Sequence, residues 1–560
     1  MERREDLDSI LPFLPLVLRS SSLFWPPKSL ESLKALSLGP DVSRVDSGEV
    51  LFDAILDLRD SIGLSSEKLA AKSADGYVLF FDELMSRMDS RVWFGEVVPT
   101  LARLLLRLPS LLEDHYKKSD KVSGKGRFGL RIMDWQEAGV VLLSQELIAT
   151  LLACALFCLF PTHDRDAKHL PLINFDRLFS TIQLSAKQSQ EQKIKCLVHY
   201  FERICMHIPT GSVSFERKML SLQNSSHGIS YPGPADWENS NVSLCPFKVL
   251  PLGLIEDQQH DALEVDFANE YLGGGALHWG CVQEEIRFMI NPELIIGMLF
   301  MASMRQNEAI EIVGVERFSQ YMGYGSSFRF VGDYLDKKPF DSMGRRKTRI
   351  VAIDALYSPK MAQYGIDCIL REANKAFCGF LDRSKYESVL KFSQASKASP
   401  EMVGSHRNSD DKCSSNVDLI ENKKGGQSTE SKESIGIATG NWGCGVFGGD
   451  PEVKSMIQWL AASQALRPFI HYYTFGEASL EGLKQVTQWI LNHGWTVGEL
   501  WNMLVEYSSK RLRRETNVGF LAWLLPDNRT NDVQLSNIRC LTIIFLWLVE
   551  VQCCSLGVKT

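Results

Sequence analysis

The spacing of apolar residues along the chain changes near residue 240. In the first part of the chain apolar residues recur at three- and four-residue steps, which is the period of an amphipathic helix. Examples are Val50–Ile62, Tyr77–Met88, Val97–Leu112, Phe175–Ile182 and Cys196–Ile208. This pattern predicts an all-helical accessory domain over residues 1–240.

Residues 241–510 have a different pattern, in which short apolar runs alternate with helical segments. The runs predict strands over Leu263–Ala268, Ala309–Val315, Ser327–Gly332, Arg349–Ile353 and Phe469–Phe475. The longer periodic segments predict helices over Pro292–Met304, Lys360–Phe377, Pro451–Leu466, Leu480–Asn492 and Val497–Tyr507. Alternation of strands and helices favours a layered α/β fold with its ligand site at the carboxyl ends of the strands.

Two segments have a composition unlike the rest. Residues 393–433 are rich in Ser, Lys, Asn, Asp and Gly and have few large apolar side chains, so we expect a disordered insertion. Residues 511–560 form a C-terminal tail, in which Arg539–Leu556 is apolar and rich in cysteine. That stretch is compatible with an added packing helix, a partner surface or the end of an alternative transcript.

The overall composition is that of an ordinary soluble globular protein. Hydrophobic residues make up 45% and charged residues 23% of the 560 positions. The net charge is −7 and the isoelectric point is about 6.0, whereas a general nucleic-acid binder is usually basic. A polyanionic ligand must therefore be bound by a local positive patch or by backbone amides.

Cysteine spacing and hydropathy point to a reducing, intracellular compartment and to no membrane span. The 13 cysteines form no CxxC pair and no zinc-like spacing with histidine, and the first residues lack a signal-peptide pattern. The apolar runs Leu147–Phe160 and Cys540–Val549 are both shorter than the roughly 18–20 residues that a spanning helix needs. We expect the first run to be a buried core helix.

The segment Gly273–Glu285, GGGALHWGCVQEE, carries the clearest chemical signal. Three glycines allow positive φ and a close approach of backbone N–H groups to a phosphate. Gln283, Glu284 and Glu285 open a helix directly afterwards, so the pattern indicates acid/base chemistry on a phosphorylated sugar. Because Glu284 and Glu285 are neighbours in sequence, we expect their side chains to diverge and one of them to perform both proton transfers.

The GGG–spacer–QEE pattern resembles the signature of poly(ADP-ribose) glycohydrolases of the eukaryotic, plant-like type. The flanking residues Val265–Asn269 and Glu285–Leu294 extend the resemblance, which covers residues 245–390 and 436–510 strongly. It implies a macrodomain-like catalytic core, a mixed sheet flanked by helices, over residues 241–510. The 393–433 insertion and the divergent 511–560 tail depart from the family pattern.

The same resemblance implies a glycoside hydrolase that cleaves the ribose–ribose O-glycosidic bonds of poly(ADP-ribose) and releases ADP-ribose. Glu285 is then the general acid and base around an oxocarbenium-like transition state. Glu284 would hold a ribose hydroxyl, and Asp266 and Asn269 would lie near the scissile ribose. No cofactor and no metal are expected.

Substrate-binding positions also follow from the resemblance. Ile255 and Glu256 would contact the adenine edge, Tyr324 would close over the ligand, and Phe475 would stack on adenine. The second glycine-rich loop, Asn441–Asp450, would grip the diphosphate at a helix N-terminus, with Phe447 packed on a ribose. The full set of expected binding residues is Ile255, Glu256, Asn269, Gly273, Gly274, Gly275, Gln283, Tyr324, Asn441, Phe447 and Phe475.

An alternative is a non-catalytic macrodomain that only binds ADP-ribose, but such a reader has no need of both acids in the QEE motif. A third, remote alternative is a phosphate-binding nucleoside triphosphatase, which is strongly disfavoured because neither glycine loop contains GxxxxGK[ST]. The expected partners are poly(ADP-ribose) chains on modified proteins, without direct nucleic-acid or membrane binding. The expected location is nucleus and cytoplasm, in DNA-damage signalling, and these residues are compatible with chain-end or interior cleavage and with any oligomeric state.

Overall fold

The computed structural model describes residues 4–122, 128–184, 188–222, 229–258, 261–382, 386 and 435–525. The insertion expected over 393–433 and most of the expected tail lie outside the described residues. Helix Phe520–Leu524 packs with buried Phe520 and Leu524 against the preceding helices, so the fold extends past the expected boundary at residue 510.

An eight-stranded mixed sheet organises the described part of the chain. The strands are β1 Val17–Arg19, β2 Ser22–Phe24, β3 Gly139–Ser144, β4 Ser212–Met219, β5 Phe247–Leu250, β6 Ala262–Asp266, β7 Glu308–Val313, β8 Ser319–Met322, β9 Arg329–Asp333, β10 Arg349–Ala352, β11 Gly436–Gly440 and β12 Ile470–Tyr473. The large sheet has the order β3-β4-β7-β10-β6-β11-β12-β5, while β1–β2 and β8–β9 form separate hairpins. Strands β10, β6, β11, β12 and β5 are mutually parallel, whereas β7, β4 and β3 extend the sheet in antiparallel fashion.

Helices cover both faces of this sheet. The α-helices are α1 Glu5–Ile10, α2 Pro27–Ser37, α3 Pro40–Ser43, α4 Gly48–Ser61, α5 Ser73–Val78, α6 Arg87–Val92, α7 Val98–Val122, α8 Gln145–Leu156, α9 Asp176–Leu184, α10 Gln188–Met206, α11 Pro234–Glu238, α12 Gln283–Ile290, α13 Gly297–Phe300, α14 Ile366–Phe380, α15 Pro451–Gln464, α16 Leu483–Asn492, α17 Val497–Leu512 and α18 Phe520–Leu524. Short 3₁₀ or π segments are Leu11–Phe13, Leu79–Leu84, Trp93–Val97, Asp166–Lys168, Ile255–Asp257, Pro292–Ile296, Gly325–Ser327, Lys360–Tyr364 and Ala478–Leu480.

The predicted α/β core flanked by helices is confirmed, and the first 240 residues are mainly helical. The expectation that they are wholly helical is wrong, because β3 and β4 come from this region and complete the large sheet. Strand β4 pairs with β7, with Phe215 opposite Ile312, and both side chains are fully buried. The N-terminal helices therefore share one hydrophobic core with the sheet.

Helix α8 is the central helix of the N-terminal layer. Apart from Glu146, all of its side chains from Gln145 to Leu156 are buried, which explains its apolar sequence and confirms the predicted core helix. Ser144 caps its first turn by accepting a hydrogen bond from the Leu147 amide at 3.3 Å. Within the described residues, no helix combines the length and the hydrophobicity that a bilayer crossing would require.

The parallel strands place five loops at one edge of the sheet. The chain leaves β6 at Asp266, β11 at Gly440, β12 at Tyr473, β10 at Ala352 and β5 at Leu250. Since the carboxyl ends of parallel strands lie side by side, the segments that follow these strands converge there. The predicted site residues belong to these segments or to the β8–β9 hairpin beside them.

Candidate active site

A cavity of about 510 Å³ opens at the carboxyl edge of the parallel strands. Seven of the expected binding residues line it, namely Ile255, Glu256, Gln283, Tyr324, Asn441, Phe447 and Phe475. Glu285, Glu284 and Asp266 are buried beside it, with exposed fractions of 6%, 3% and 1%. The structure thus gathers residues that lie more than 200 positions apart in the sequence.

Glu285 occupies the first turn of α12, where a carboxylate is favoured by the helix dipole. One of its oxygens accepts the Gly275 amide at 2.9 Å, and the other accepts the Val282 amide at 2.8 Å. The second contact closes the helix N-terminus, as the acidic residue of a capping box does. The carboxylate is therefore held at a fixed position by two backbone donors.

Glu284 is held in the same way by a neighbouring part of the loop. Its oxygens accept the Gly273 amide at 2.7 Å and the Asn269 amide at 2.9 Å. A Cβ atom built on Gly274 would lie 2.6 Å from Oε2 of Glu284 and 2.9 Å from Oε1 of Glu285. The expectation that the two side chains diverge is wrong, because both reach back from the helix start to the same glycine.

Asp266, at the end of β6, completes a cluster of three carboxyl groups. Neither of its oxygens has a hydrogen-bond partner among the described residues. Burial raises the pKa of Asp266 to about 8, Glu285 acts in the same direction, and Arg287 opposes the rise. Burial, Asp266 and Glu285 also raise the pKa of Glu284 well above its usual value. Buried carboxyls this close cannot all ionise, so the cluster keeps protons at neutral pH.

The first glycine loop does not have the expected role of a phosphate cradle in this structure. The Gly273 and Gly275 amides donate to Glu284 and Glu285, and the Gly274 amide donates to the Tyr271 carbonyl at 3.0 Å. Gly273 and Gly274 have φ values of 89° and 48°, a region that favours glycine. The glycines are needed so that the backbone can wrap around two carboxylates.

The second glycine loop also differs from expectation at the helix N-terminus. Asp450 caps α15 by accepting the Glu452 amide at 2.9 Å and the Val453 amide at 3.3 Å, so that end of the helix is already occupied. The Gly445, Val446 and Phe447 amides upstream donate to no acceptor among the described residues, and all three residues line the cavity. Unpaired backbone amides beside a cavity suit an anionic group.

Three expected binding residues use their side chains within the protein. Gln283 accepts the Phe267 amide at 2.8 Å and donates to the Val265 carbonyl at 3.2 Å, which ties α12 to β6. Asn441 donates to the Thr474 carbonyl at 3.0 Å and accepts the Tyr472 hydroxyl at 3.2 Å. Asn269 accepts the Tyr271 amide at 3.0 Å, so its side chain closes a local turn.

Exposed aromatic rings stand at the mouth of the cavity. Tyr324 is 58% and Phe475 is 49% exposed, which is unusual for rings of this size. Phe475 has a φ of 52° and is followed by Gly476, also at positive φ, so the turn after β12 turns the ring outward. Phe447 contacts the exposed ring of Tyr357 edge-on, with centroids 5.3 Å apart. Flat apolar surfaces of this kind suit a purine base or a ribose.

Sequence reasoning missed the charged residues behind the cavity. Arg287 forms an ion pair with Glu264 and lies 3.9 Å from Glu256, whose carboxylate accepts the Tyr321 hydroxyl at 2.5 Å. A signal was available, since Glu264 interrupts an otherwise apolar buried strand and a buried charge requires a partner. Lys193 of α10 contacts the loop of residues 275–280 that precedes Glu285, and it gave no such signal because it lies on an ordinary helical pattern.

Comparison with known proteins agrees with the geometry. The macrodomain-fold model of poly(ADP-ribose) glycohydrolase matches residues 234–482, and the helical-domain model of the same family matches residues 85–217. Poly(ADP-ribose) glycohydrolase 1 of Arabidopsis thaliana is 54% identical over 553 residues, covering 95% of this chain and 99% of the relative. Probable poly(ADP-ribose) glycohydrolase 2 of the same plant is 53% identical over 530 residues, covering 95% and 100%.

A more distant relative matches only part of the chain. Poly(ADP-ribose) glycohydrolase 1 of Caenorhabditis elegans is 32% identical over 334 residues, which is 58% of this chain and 36% of the relative. The two plant relatives span nearly the whole chain, and the family models cover both the helical region and the α/β core. This chain belongs to the poly(ADP-ribose) glycohydrolase family.

Proposed function

We propose that this protein hydrolyses the ribose–ribose O-glycosidic bonds of poly(ADP-ribose) and releases ADP-ribose. The observation that carries the proposal is the pair of glutamates that backbone amides hold on either side of Gly274, beside a cavity of about 510 Å³. A module that only binds ADP-ribose gains nothing from two buried carboxylates, because burial makes their ionised forms costly. Family membership supports the same conclusion.

In the proposed mechanism Glu285 acts as both acid and base. It protonates the departing ribose oxygen while an oxocarbenium-like state develops at the anomeric carbon, and it then takes a proton from the attacking water. Its two amide contacts fix the position of the carboxyl group for both steps. Glu284 orients a ribose hydroxyl, and Asp266 holds a proton and completes the polar floor of the site.

Substrate binding divides between the cavity walls. The Gly445, Val446 and Phe447 amides donate to the diphosphate. Such local donors are needed because the diphosphate is anionic and the protein, with a net charge of −7, does not attract it overall. Phe475 stacks on adenine, Glu256 accepts from its amino edge, and Tyr324 covers the ligand from the β8–β9 hairpin. The substrate is poly(ADP-ribose) attached to modified proteins, and turnover in nucleus and cytoplasm during DNA-damage signalling is part of the proposal.

The test is release of ADP-ribose from purified poly(ADP-ribose) by the wild type and by Glu285→Gln. We expect kcat to fall about 10²- to 10⁴-fold, because the substitution removes the only proposed proton donor while keeping the shape of the side chain. The dissociation constant for ADP-ribose, measured by calorimetry, should change little. Glu499→Gln is a matched control, since Glu499 also caps a helix by accepting the Thr496 amide, at 2.7 Å, and does not line the cavity.

Three outcomes separate the alternatives. Loss of turnover in Glu285→Gln with binding retained, and normal turnover in Glu499→Gln, supports the hydrolase and the role of Glu285. Binding without turnover in the wild type would make the protein an ADP-ribose reader. Equal loss of turnover in both variants would mean that helix capping, and not acid catalysis, explains the effect.

A further inference from the structure

Lys193 is a buried cation that connects the N-terminal helical region to the loop of residues 275–280, which precedes Glu285. It lies on α10, has no exposed surface, and forms no ion pair with a carboxylate among the described residues. Its ammonium group donates to the His278 carbonyl at 2.7 Å, to the Gly280 carbonyl at 2.6 Å and, more weakly, to the Gly275 carbonyl at 3.4 Å. A lysine is rarely buried without such contacts, because desolvating the charge is costly.

Gln190, one helical turn before Lys193, extends the same contact. Its amide group donates to the Trp279 carbonyl at 3.2 Å, and its oxygen accepts from Lys193 at 3.3 Å. Two side chains of α10 therefore bind backbone carbonyl groups of residues 275–280, the segment that precedes the glutamates and is called the spacer below. The spacer forms turns without a helix or strand, and the Gly275 carbonyl also accepts the His278 amide at 2.9 Å and the Gly280 amide at 3.0 Å.

Two of the four residues whose carbonyls are bound, Gly275 and Gly280, also contact Glu285. Gly275 donates its amide to Glu285 and offers its carbonyl to Lys193. Gly280, whose carbonyl is bound by Lys193, packs so closely on Glu285 that a Cβ atom there would lie 2.5 Å from the carboxyl carbon. Burial lowers the pKa of Lys193 to about 8, and the Cys281 thiol and Glu285 oppose that change. Displacement of the spacer would thus displace the catalytic carboxyl group.

We infer that Lys193 is a positioning residue for catalysis, which holds the 275–280 spacer so that Glu285 keeps its reactive position. Through this contact the N-terminal helical region takes part in the reaction without touching the substrate. Lys193 does not line the cavity, so its removal acts on turnover and not on ligand binding. The inference rests on the proposed hydrolase function.

The test compares Lys193→Met with Lys218→Met. Lys218 is also buried and also donates to two carbonyls, those of Gly379 at 2.7 Å and Leu381 at 2.6 Å; it pairs in addition with Glu311 at 3.0 Å and does not line the active-site cavity. We expect Lys193→Met to lower kcat about 10- to 100-fold. KM for the polymer and the dissociation constant of ADP-ribose should stay within about twofold of the wild type. Lys218→Met should lower the melting temperature similarly and leave kcat unchanged.

Hydrogen exchange gives a readout that does not need activity. The Gly275, Gly280 and Val282 amides should exchange faster in Lys193→Met than in the wild type and in Lys218→Met. If the wild type proves inactive, the proposed function fails, while the exchange rates still decide whether Lys193 holds the loop. Should Lys193→Met not fold, Gln190→Leu is the milder variant and should lower kcat by a smaller factor, again without affecting ADP-ribose binding. Unchanged kcat and unchanged exchange in the Lys193 variant, or equal loss of kcat in Lys218→Met, would overturn the inference.

Discussion

The buried environment of Asp266 disfavours the ionised form of its carboxyl group. It is 1% exposed and unpartnered among the described residues, and its nearest charged neighbours include the Glu285 carboxylate. A buried carboxyl group with a raised pKa beside a cavity is a candidate for a functional role. The pKa of about 8 implies that folding favours the protonated form, whereas the unfolded chain ionises this group near its ordinary value.

This arrangement predicts a gain in stability when the carboxyl group is removed. A raised folded-state pKa means that the contribution of Asp266 is fully present below about pH 4 and is lost as the pH rises towards about 8. Asp266→Asn does not titrate, so its free energy of unfolding should exceed that of the wild type by about 1–3 kcal/mol at pH 8, with a smaller difference at pH 5. Denaturant unfolding at both pH values measures this difference. The same Asp266→Asn variant should hydrolyse the polymer more slowly than the wild type, although it is more stable.

A second buried aspartate provides the contrasting case. Burial raises the pKa of Asp354, but Lys375, at 2.6 Å, and Arg371 outweigh it and lower the pKa overall. Asp354→Asn should therefore destabilise the protein at pH 8. A gain of stability in both variants, or in neither, would show that the electrostatic account of Asp266 is wrong.

At the scale of elements, the glycine loop and the start of α12 act as one unit. The loop supplies amides, the helix supplies carboxylates, and Gly274 is the point where the two glutamates meet. Any side chain at Gly274 would occupy the space of a carboxylate oxygen. The position is thus restricted twice, by its φ of 48° and by the atoms that surround it.

Gly274→Ala should greatly reduce the turnover rate, because the added methyl group would collide with the carboxyl groups of Glu284 and Glu285. We expect kcat to fall by at least about 100-fold, since the added methyl group displaces Glu284 and Glu285. Gly494→Ala is the matched control, because Gly494 has a φ of 64° and no atom within 4 Å of the added carbon. Both variants should lose about 1–2 kcal/mol of stability from backbone strain. Steady-state kinetics with unfolding curves measures the two effects, and similar kcat values in the two variants would contradict the model.

Several elements could be predicted from the sequence because their patterns are local. Strand β6 was predicted over Leu263–Ala268 and occupies Ala262–Asp266, and β10 was predicted over Arg349–Ile353 and occupies Arg349–Ala352. Strand β11 was missed because GIATG consists mainly of small residues without a strand pattern. Strands β3 and β4 were missed because they are isolated among helices: within the described part of the chain β3 pairs only with β4, and β7, the other partner of β4, lies about 90 residues further along the chain.

The site could be predicted in part for a similar reason. The motif residues follow from family resemblance, and the structure brings most of them together around one cavity. The role of the glycine amides could not be predicted, because GGG indicates a close backbone approach and does not say which group approaches. Contacts such as that of Lys193 with Gly280 depend on packing between distant segments, which leaves no local pattern.

At the scale of the whole molecule, the helical region and the α/β core form one folding unit. Strand β4 pairs with β7 along six residues, and the buried Arg217 forms an ion pair with Glu308 at 2.7 Å across this pairing. Arg165 reaches from the helical region to the Met298 carbonyl at 2.7 Å. A cut between the two matched family regions would leave β7 with an unpaired edge and an exposed apolar face.

We therefore expect a fragment of residues 234–525 to be insoluble or to lack cooperative unfolding. Size-exclusion chromatography and thermal denaturation of the fragment would measure this. Co-expression with residues 1–233 is the control and should restore a soluble complex that binds ADP-ribose. A monomeric fragment that unfolds cooperatively and binds ADP-ribose on its own would contradict a shared core.

The place where the long insertion joins the fold has a consequence for how this protein can vary. Helix α14 ends at Phe380 and β11 begins at Gly436, so the intervening residues enter the sheet at the amino end of a parallel strand. The cavity lies at the carboxyl ends of these strands. Both junctions of this stretch therefore lie at the edge of the sheet away from the catalytic carboxyl groups. A fluorescent reporter or an affinity handle joined to the fold at these two junctions would be attached away from the opening through which the polymer enters.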